Sequence, residues 1–290
     1  MTLFITGKKS RPRTEPIYSG GNRKDFPITT GYDSVEYSDL IGSHITQYNE
    51  NILICQCFIN GYFIGCFATS ERHIPRPNVS WAIRNDDDFF FELVNWKRIN
   101  GASKQIYSLA CDENLGFGVF FMENYGTDQC IATKPFQIYK RWNDGFEITA
   151  CAARDSNFYI VMTKDTDEYS GTTQTCFCRN TWNETYTTIN EHHKAGYIVT
   201  GICYSTGLRK YFVVMTMIPE VQSSYYFNDP ATALNWMEEQ YHVGYHPTVI
   251  FTNPTLHITF VVVTKDENIS YYSNAYCFKL KYPVPSTGHG

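Results

Sequence analysis

Charge is scarce in this chain. Asp, Glu, Lys and Arg make up 18% of its 290 residues, and the formal net charge is −5 with an isoelectric point near 5.9. So little charge argues against a disordered polyelectrolyte, and the acidic balance excludes a general binder of polyanions, though not a local basic patch. Any apolar run near the roughly 20 residues needed to span a bilayer is also missing. The longest runs, Tyr211–Met217 and Ile258–Thr264, are strand-sized. The first nine residues, Met-Thr-Leu-Phe-Ile-Thr-Gly-Lys-Lys, place a short apolar stretch ahead of the basic pair, the wrong order for a secretory leader. Neither C-x-x-C nor H-E-x-x-H occurs. The expectation is a cytoplasmic protein with no cofactor, no metal, no membrane contact and no catalytic residue that the sequence can name.

The chain has ten cysteines: Cys55, Cys57, Cys66, Cys111, Cys130, Cys151, Cys176, Cys178, Cys203 and Cys277. Most lie in apolar, strand-like segments, where a free thiol behaves as a small buried hydrophobe. The pairs Cys55/Cys57 and Cys176/Cys178 each share one face of a strand, so a metal held between them is the minor alternative to a core role. Asn78, Asn183 and Asn268 head N-x-[ST] triplets, read as chance in a chain without a leader. Residues 7–34 carry Lys8, Lys9, Arg11, Arg13, Arg23 and Lys24 among Gly, Pro and Ser, the mark of an extended basic arm. Asp86-Asp-Asp88 reads as a solvated turn rather than a cation site.

Internal repetition is the strongest signal. Five segments share an apolar strand, a polar turn and a second apolar strand: 52–69, 105–122, 146–163, 197–216 and 248–264. Matching positions Ala68, Met122, Met162, Met215 and Val263 are spaced 54, 40, 53 and 48 residues apart, the spacing of a propeller blade. These are strands because Val, Ile, Phe, Tyr and Thr dominate them and Gly, Asn, Asp and Ser fill their turns. Asn60-Gly61 is a hairpin turn by composition, since both residues accept positive φ. The first strand of each pair is rich in small residues, as in Thr149-Ala-Cys-Ala152, which suits crowding around an axis. The second is almost continuously apolar, as burial on both faces demands. A more variable strand follows, such as Thr172–Cys178 or Ser223–Phe227, and then a fourth segment that leads through an aromatic and a glycine (Trp142…Gly145, Gly196-Tyr197) to the next unit. Around Asp229–Gln240 this fourth segment reads either as a helix after Asp-Pro or as an outer strand with a loop.

The fold expected is therefore all-β: a propeller of five or six four-stranded blades. Residues 1–45 form an N-terminal arm with a closing strand or an incomplete blade, and residues 46–290 carry the repeats, within one domain overall. In the closing-strand version Leu3–Thr6 pairs with the C-terminal segment Ala275–Tyr282 and removes the exposed edge.

Arg141-Trp-Asn-Asp-Gly-Phe-Glu-Ile-Thr-Ala-Cys-Ala-Ala153 with Phe158–Thr163, and Gly196-Tyr-Ile-Val-Thr-Gly-Ile-Cys-Tyr204 with Tyr211–Thr216, resemble the repeated C-terminal domain of plant casein-kinase-I-like kinases, a domain of unassigned function. The resemblance covers about residues 90–280. The kinase itself is missing: the chain has no Gly-rich loop with its strand lysine, no H-R-D and no D-F-G. The resemblance thus implies a non-catalytic module for targeting or docking.

Three functions are weighed on this basis. The first is a non-catalytic propeller scaffold for protein–protein interaction, a subunit of a larger cytoplasmic or cytoskeletal assembly, with one or more proteins as partners and no general nucleic-acid binding. Its 22 tyrosines suit contact surfaces, though more than half of the aromatic rings are expected to fill the core. The second is a lectin-like propeller using Trp96, Trp142 and Trp236. The third is a propeller-type glycosidase, for which Asp112, Asp144, Glu147 and Asp155 are the nearest carboxylates to the first strands. The histidines His192, His193, His242 and His246 lie in connecting segments, and Pro247 disfavours a helical metal pair.

Overall fold

The computed structural model describes residues 5–6, 29–30, 51–59, 62–70, 79–84, 104–112, 116–123, 125–166, 172–218, 221–228, 230–243, 245–265 and 272–281. The Asp86–Asp88 cluster, Trp96, Asn78, Asn268 and most of the basic arm lie outside them. The strands are β1 Ile5–Thr6, β2 Thr29–Thr30, β3 Asn51–Ile59, β4 Tyr62–Ser70, β5 Val79–Arg84, β6 Lys104–Asp112, β7 Gly116–Glu123, β8 Asp128–Ala132, β9 Phe146–Arg154, β10 Asn157–Lys164, β11 Thr173–Arg179, β12 Ile198–Ser205, β13 Lys210–Met217, β14 Val221–Phe227, β15 His246–Asn253, β16 Ile258–Lys265 and β17 Tyr272–Lys281. Among the described residues three helices intervene: α1 Pro135–Asn143, α2 Trp182–Lys194 and α3 Pro230–His242.

All five expected hairpins form: β3–β4, β6–β7, β9–β10, β12–β13 and β15–β16. Each carries the same one-residue bulge in its first strand, at Ile54, Tyr107, Thr149, Thr200 and Thr248. The second strands are apolar because both their faces are covered; Phe158 to Thr163 of β10 and Tyr211 to Thr216 of β13 are buried without interruption.

The chain is not the closed, all-β propeller of four-stranded blades that the repeat predicts. Its described residues form five separate, open sheets, ordered β2-β17-β4-β3, β5-β7-β6, β8-β10-β9, β1-β11-β13-β12 and β14-β16-β15. First strands of neighbouring sheets touch (β3 with β6, β6 with β9, β9 with β12, β12 with β15, β15 with β3), but this is packing and not strand pairing. In three units the fourth segment is a helix. β8 leads through α1 to β9, which turns back as β10 into the gap between them; β11–α2–β12–β13 and β14–α3–β15–β16 follow the same path.

Local chemistry explains the helices. At α2, Thr181 accepts a hydrogen bond from the Glu184 N–H while the Glu184 carboxylate accepts one from the Thr181 N–H, a closed capping box. At α1, Pro135 stands in the first turn and the Gln137 side chain accepts from the Thr133 and Lys134 amides. Gly145 and Gly196 are the helix-ending residues, at φ +89° and +86°. Their N–H groups donate to the carbonyls of Trp142 and His193.

The N-terminal strand departs from expectation as well. β1 does not meet the C-terminal segment; it lies antiparallel on β11, Ile5 opposite Cys176 and Thr6 opposite Thr175. β17 instead pairs with β4 and carries β2 parallel on its outer edge.

The core fills the gaps between sheets. One cluster joins β6–β7 to β9–β10, a second joins β9–β10 to β11–β13, and a third joins β11–β13 to β15–β16. Small residues permit the close approach: a Cβ on Gly201 would lie 3.0 Å from the Cys151 Sγ of the neighbouring sheet. Among the described residues no helix is long and apolar enough to cross a membrane.

Polar side chains tie the sheets together. Gln129 of β8 accepts from the Ile106 N–H (2.8 Å) and donates to the Ile106 carbonyl (2.8 Å) on the preceding sheet. Gln174 of β11 does the same to Ile148, at 2.7 and 3.0 Å. Each amide also donates to a buried threonine, Thr163 or Thr216, whose hydroxyl meets the bulged Thr149 or Thr200 at 2.8 Å. Thr248 and Thr264 repeat the last contact at 2.8 Å, and Gln222 sits opposite Thr264 in register.

Candidate functional site

β14 is the edge strand of its sheet, held on one side by β16 with Val221 opposite Lys265 and Phe227 opposite Thr259. Alternate residues of an edge strand turn their N–H and C=O groups outward, a template for another strand. Natural edges are usually blunted by charge, proline or shortness. β8 has five residues and starts at Asp128, and β5 ends on Arg84. β14, Val-Gln-Ser-Ser-Tyr-Tyr-Phe, has seven residues and neither charge nor proline.

The register shared among sister strands makes the comparison specific. In register Gln174 of β11 is paired with Thr216 and Gln222 of β14 with Thr264, so Thr175 and Cys176 correspond to Ser223 and Ser224. Thr175 and Cys176 are the residues that β1 covers. Among the described residues no strand covers Ser223 and Ser224.

Aromatic rings flank this edge on both faces. On one face Phe227 lies 5.1 Å from Tyr225, and Trp236 of α3 packs at 5.5 Å from Phe227 and 6.3 Å from Tyr225. Ala233 and Met237 anchor α3 beneath them. On the other face Tyr226 meets Tyr186 of α2 edge-on at 5.3 Å and Trp182 at 5.7 Å. The i, i+4 spacing of Trp182 and Tyr186 puts both on the inner side of α2. Trp182 continues the stack inward to Tyr211, Phe251 and Phe260. Tyr225 remains 54% exposed and Tyr226 38%, so the aromatic seam reaches the surface at the open edge. Burial holds the Tyr186 hydroxyl above its ordinary pKa, helped by Tyr225 and Tyr226 and opposed by a hydrogen bond to Asn190. The indole N–H of Trp182 is buried and has no hydrogen-bond partner among the described residues.

The residues proposed from sequence for other chemistries do not assemble. Asp144 caps α1, 4.0 Å from Arg141, and Glu147 stands at the start of β9, whereas Asp155 forms the turn at its other end. The length of β9, about 30 Å of strand, separates Asp144 and Glu147 from Asp155. Asp112 ends β6, on a different sheet. The propeller-type glycosidase falls with the propeller on which it rested. The lectin reading fails because the tryptophans do unlike jobs: the Trp142 indole donates to Gln174 Oε1 at 3.3 Å, while Trp236 packs on Phe227. The scaffold reading fails in its propeller form with the fold on which it rested.

Cys55/Cys57 and Cys176/Cys178 fall on different sheets, β3 and β11. His242 ends α3 and His246 opens β15, so no helical pair forms. Among the described residues no three His, Cys, Asp or Glu side chains gather as metal ligands. Sequence reasoning missed the edge itself, although an uncharged, proline-free strand beginning with Val-Gln was visible. No family model matches the chain, and no curated protein matches it.

Proposed function

We propose that the protein binds an extended segment of a partner protein by adding it as a strand to the outer edge of β14. The observation that carries this reading is β1. The equivalent edge of the sister sheet already holds a short extended segment at the positions matching Ser223 and Ser224. β2 on β17 is a second occupied outer edge, in parallel orientation. Main-chain hydrogen bonds would supply affinity, and the rings of Tyr225, Tyr226 and Trp236 would supply side-chain contacts. This is a binding protein and not an enzyme, in keeping with the docking role that the likeness to the kinase-associated repeat implies. A cytoplasmic setting goes with it: Cys151, Cys176, Cys178 and Cys203 are free thiols, as expected where thiols stay reduced.

Selection of random twelve-residue peptides on the purified chain, followed by amide hydrogen exchange of the bound state, tests the reading. Selected peptides should slow exchange along 221–227. Peptides that bind but protect only other strands would refute it.

A further inference from the structure

The three helices take the same place in three successive units, yet their outward sides differ. α2 turns Asn183, Glu184, Thr187 and Glu191 to solvent, and α3 turns Thr232, Asn235 and Glu239. On α1 only Ile138 is fully buried. Its outward side carries Phe136 and Lys140, one turn apart, with Tyr139 beside them. Phe136 is 66% exposed, more than any other large apolar side chain among the described residues, and Tyr139 is 38% exposed. From Gln129 to Asn143 the chain holds Lys134, Lys140 and Arg141 and no acid. Arg141 is already engaged: its guanidinium lies over the Phe146 ring at 5.3 Å and 4.0 Å from the Asp144 carboxylate. Lys134 and Lys140 are exposed, and neither has an acidic partner among the described residues.

We infer that this side of α1 docks a short acidic segment of another protein, with an apolar residue seated on Phe136 between two acids. Charge complementarity names the occupant. Lys134 precedes Phe136 at the helix start and Lys140 follows it by one turn, so the ring stands between two cations. The two lysines are about 9 Å apart along the helix axis. Acids three positions apart on an extended chain are separated by about 10 Å and match that span. A nucleic-acid strand or an anionic bilayer reaches past α1 onto a chain of net charge −5, whereas a short peptide meets the patch alone. A second copy placed by two-fold symmetry sets lysines against lysines. The face is also preformed: Ile138 pins the helix, Pro135 starts it, and Trp142, edge-on to Tyr139 at 6.4 Å, is itself fastened to Gln174. Rings held in place before contact lose little freedom on binding. This contact is separate from strand addition at β14 and does not depend on it.

Three fluorescent eight-residue peptides test the inference: Gly-Ser-Glu-Leu-Phe-Glu-Ser-Gly and the same sequence with Gln or with Lys in place of both Glu residues. Anisotropy titrations against the full chain should rank Glu above Gln above Lys. The Glu peptide should be favoured over the Lys peptide by about tenfold at low salt, and by much less at 0.5 M salt, where screening shortens to a few ångströms. Phe136→Ser, at a site exposed enough to spare the fold, should weaken the Glu peptide about fivefold with an unchanged melting temperature. Lys140→Glu should reverse the order of the Glu and Lys peptides. Leu208→Ser, at another exposed apolar side chain, is the control and should leave all three unchanged.

Equal binding of the three peptides, or binding that Phe136→Ser leaves as it was, would overturn the inference. So would failure of the Glu peptide to bind at all. Vesicles containing phosphatidylserine and an oligothymidylate strand are the competing probes. Tighter binding of either, lost in Lys140→Glu, would give the face to a bilayer or a nucleic acid and refute a peptide occupant. A dimer of the purified chain that Phe136→Ser splits would assign it to a second copy and refute the inference as well.

Discussion

Gln174→Met isolates the tie between two sheets. Gln174 is 2% exposed, and its amide makes four hydrogen bonds: with both backbone groups of Ile148, with the Trp142 indole and with Thr216. Methionine matches the volume but offers none of them. Thr216 keeps Thr200, and Trp142 is only partly buried. The N–H and C=O of Ile148 are left buried and unpaired, at roughly 1–3 kcal/mol each. Better burial of the thioether returns part of this, so the net loss is about 2–4 kcal/mol. For a chain of this size that lowers the melting temperature by on the order of 5–10 °C. Thr200→Val, which removes a single hydroxyl contact, serves as the calibration at about 1 kcal/mol. Urea unfolding of the two variants beside the parent gives the energies, and amide exchange at Ile148 should quicken in Gln174→Met. A variant within 0.5 kcal/mol of the parent, with Ile148 exchange unchanged, would refute the idea that this amide fastens β11 to β9.

Other outcomes follow from the same structure. Thr181→Ala opens the capping box of α2 and should cost about 1 kcal/mol in urea unfolding, with little change for Thr187→Ala on the exposed side of the same helix. Burial, with Tyr204 adding to it and an Asn253 hydrogen bond opposing it, pushes the Tyr211 phenol up to about 12. An unfolded tyrosine ionises near 10, so its contribution is whole below pH 10 and is lost as pH climbs through about 12. Urea midpoints across that window should fall more steeply for the parent than for Tyr211→Phe. Burial raises the thiol pKa of Cys176 and Cys203. Half-buried Cys178 feels burial too, but Lys210 and Arg179 pull it back. Timed iodoacetamide labelling read by mass spectrometry should therefore modify Cys178 before Cys176 and Cys203.

The hairpins were legible because a doubly buried strand must be apolar throughout, and Phe158–Thr163 and Tyr211–Thr216 have no other home. The helices were misread because their faces are mixed. In α2, Trp-Asn-Glu-Thr-Tyr-Thr-Thr-Ile is poor in strong helix formers, and its β-branched and aromatic residues look strand-like. The deciding signals were terminal: Thr181-x-x-Glu184 at the start and Gly196 at the end. Read only as a residue leading into the next strand, that glycine hid a helix C-terminus. The helix after Asp229-Pro230 was one of two readings, and the same Pro rule applied to Lys134-Pro135 would have found α1. The open edge was harder to see. It depends on which strands pair, and β1 on β11 joins residues that are far apart in sequence and have no matching pattern.

The pairing of β17 with β4 has a consequence for synthesis. Cys277 lies opposite Cys66, so the first hairpin waits on the order of two hundred residues for its third strand. At ribosomal rates of about 5–20 residues per second the delay is roughly 10–40 s. During it the side of β4 that β17 later takes stays unclaimed, and a nascent chain with that edge bare is a natural client for chaperones.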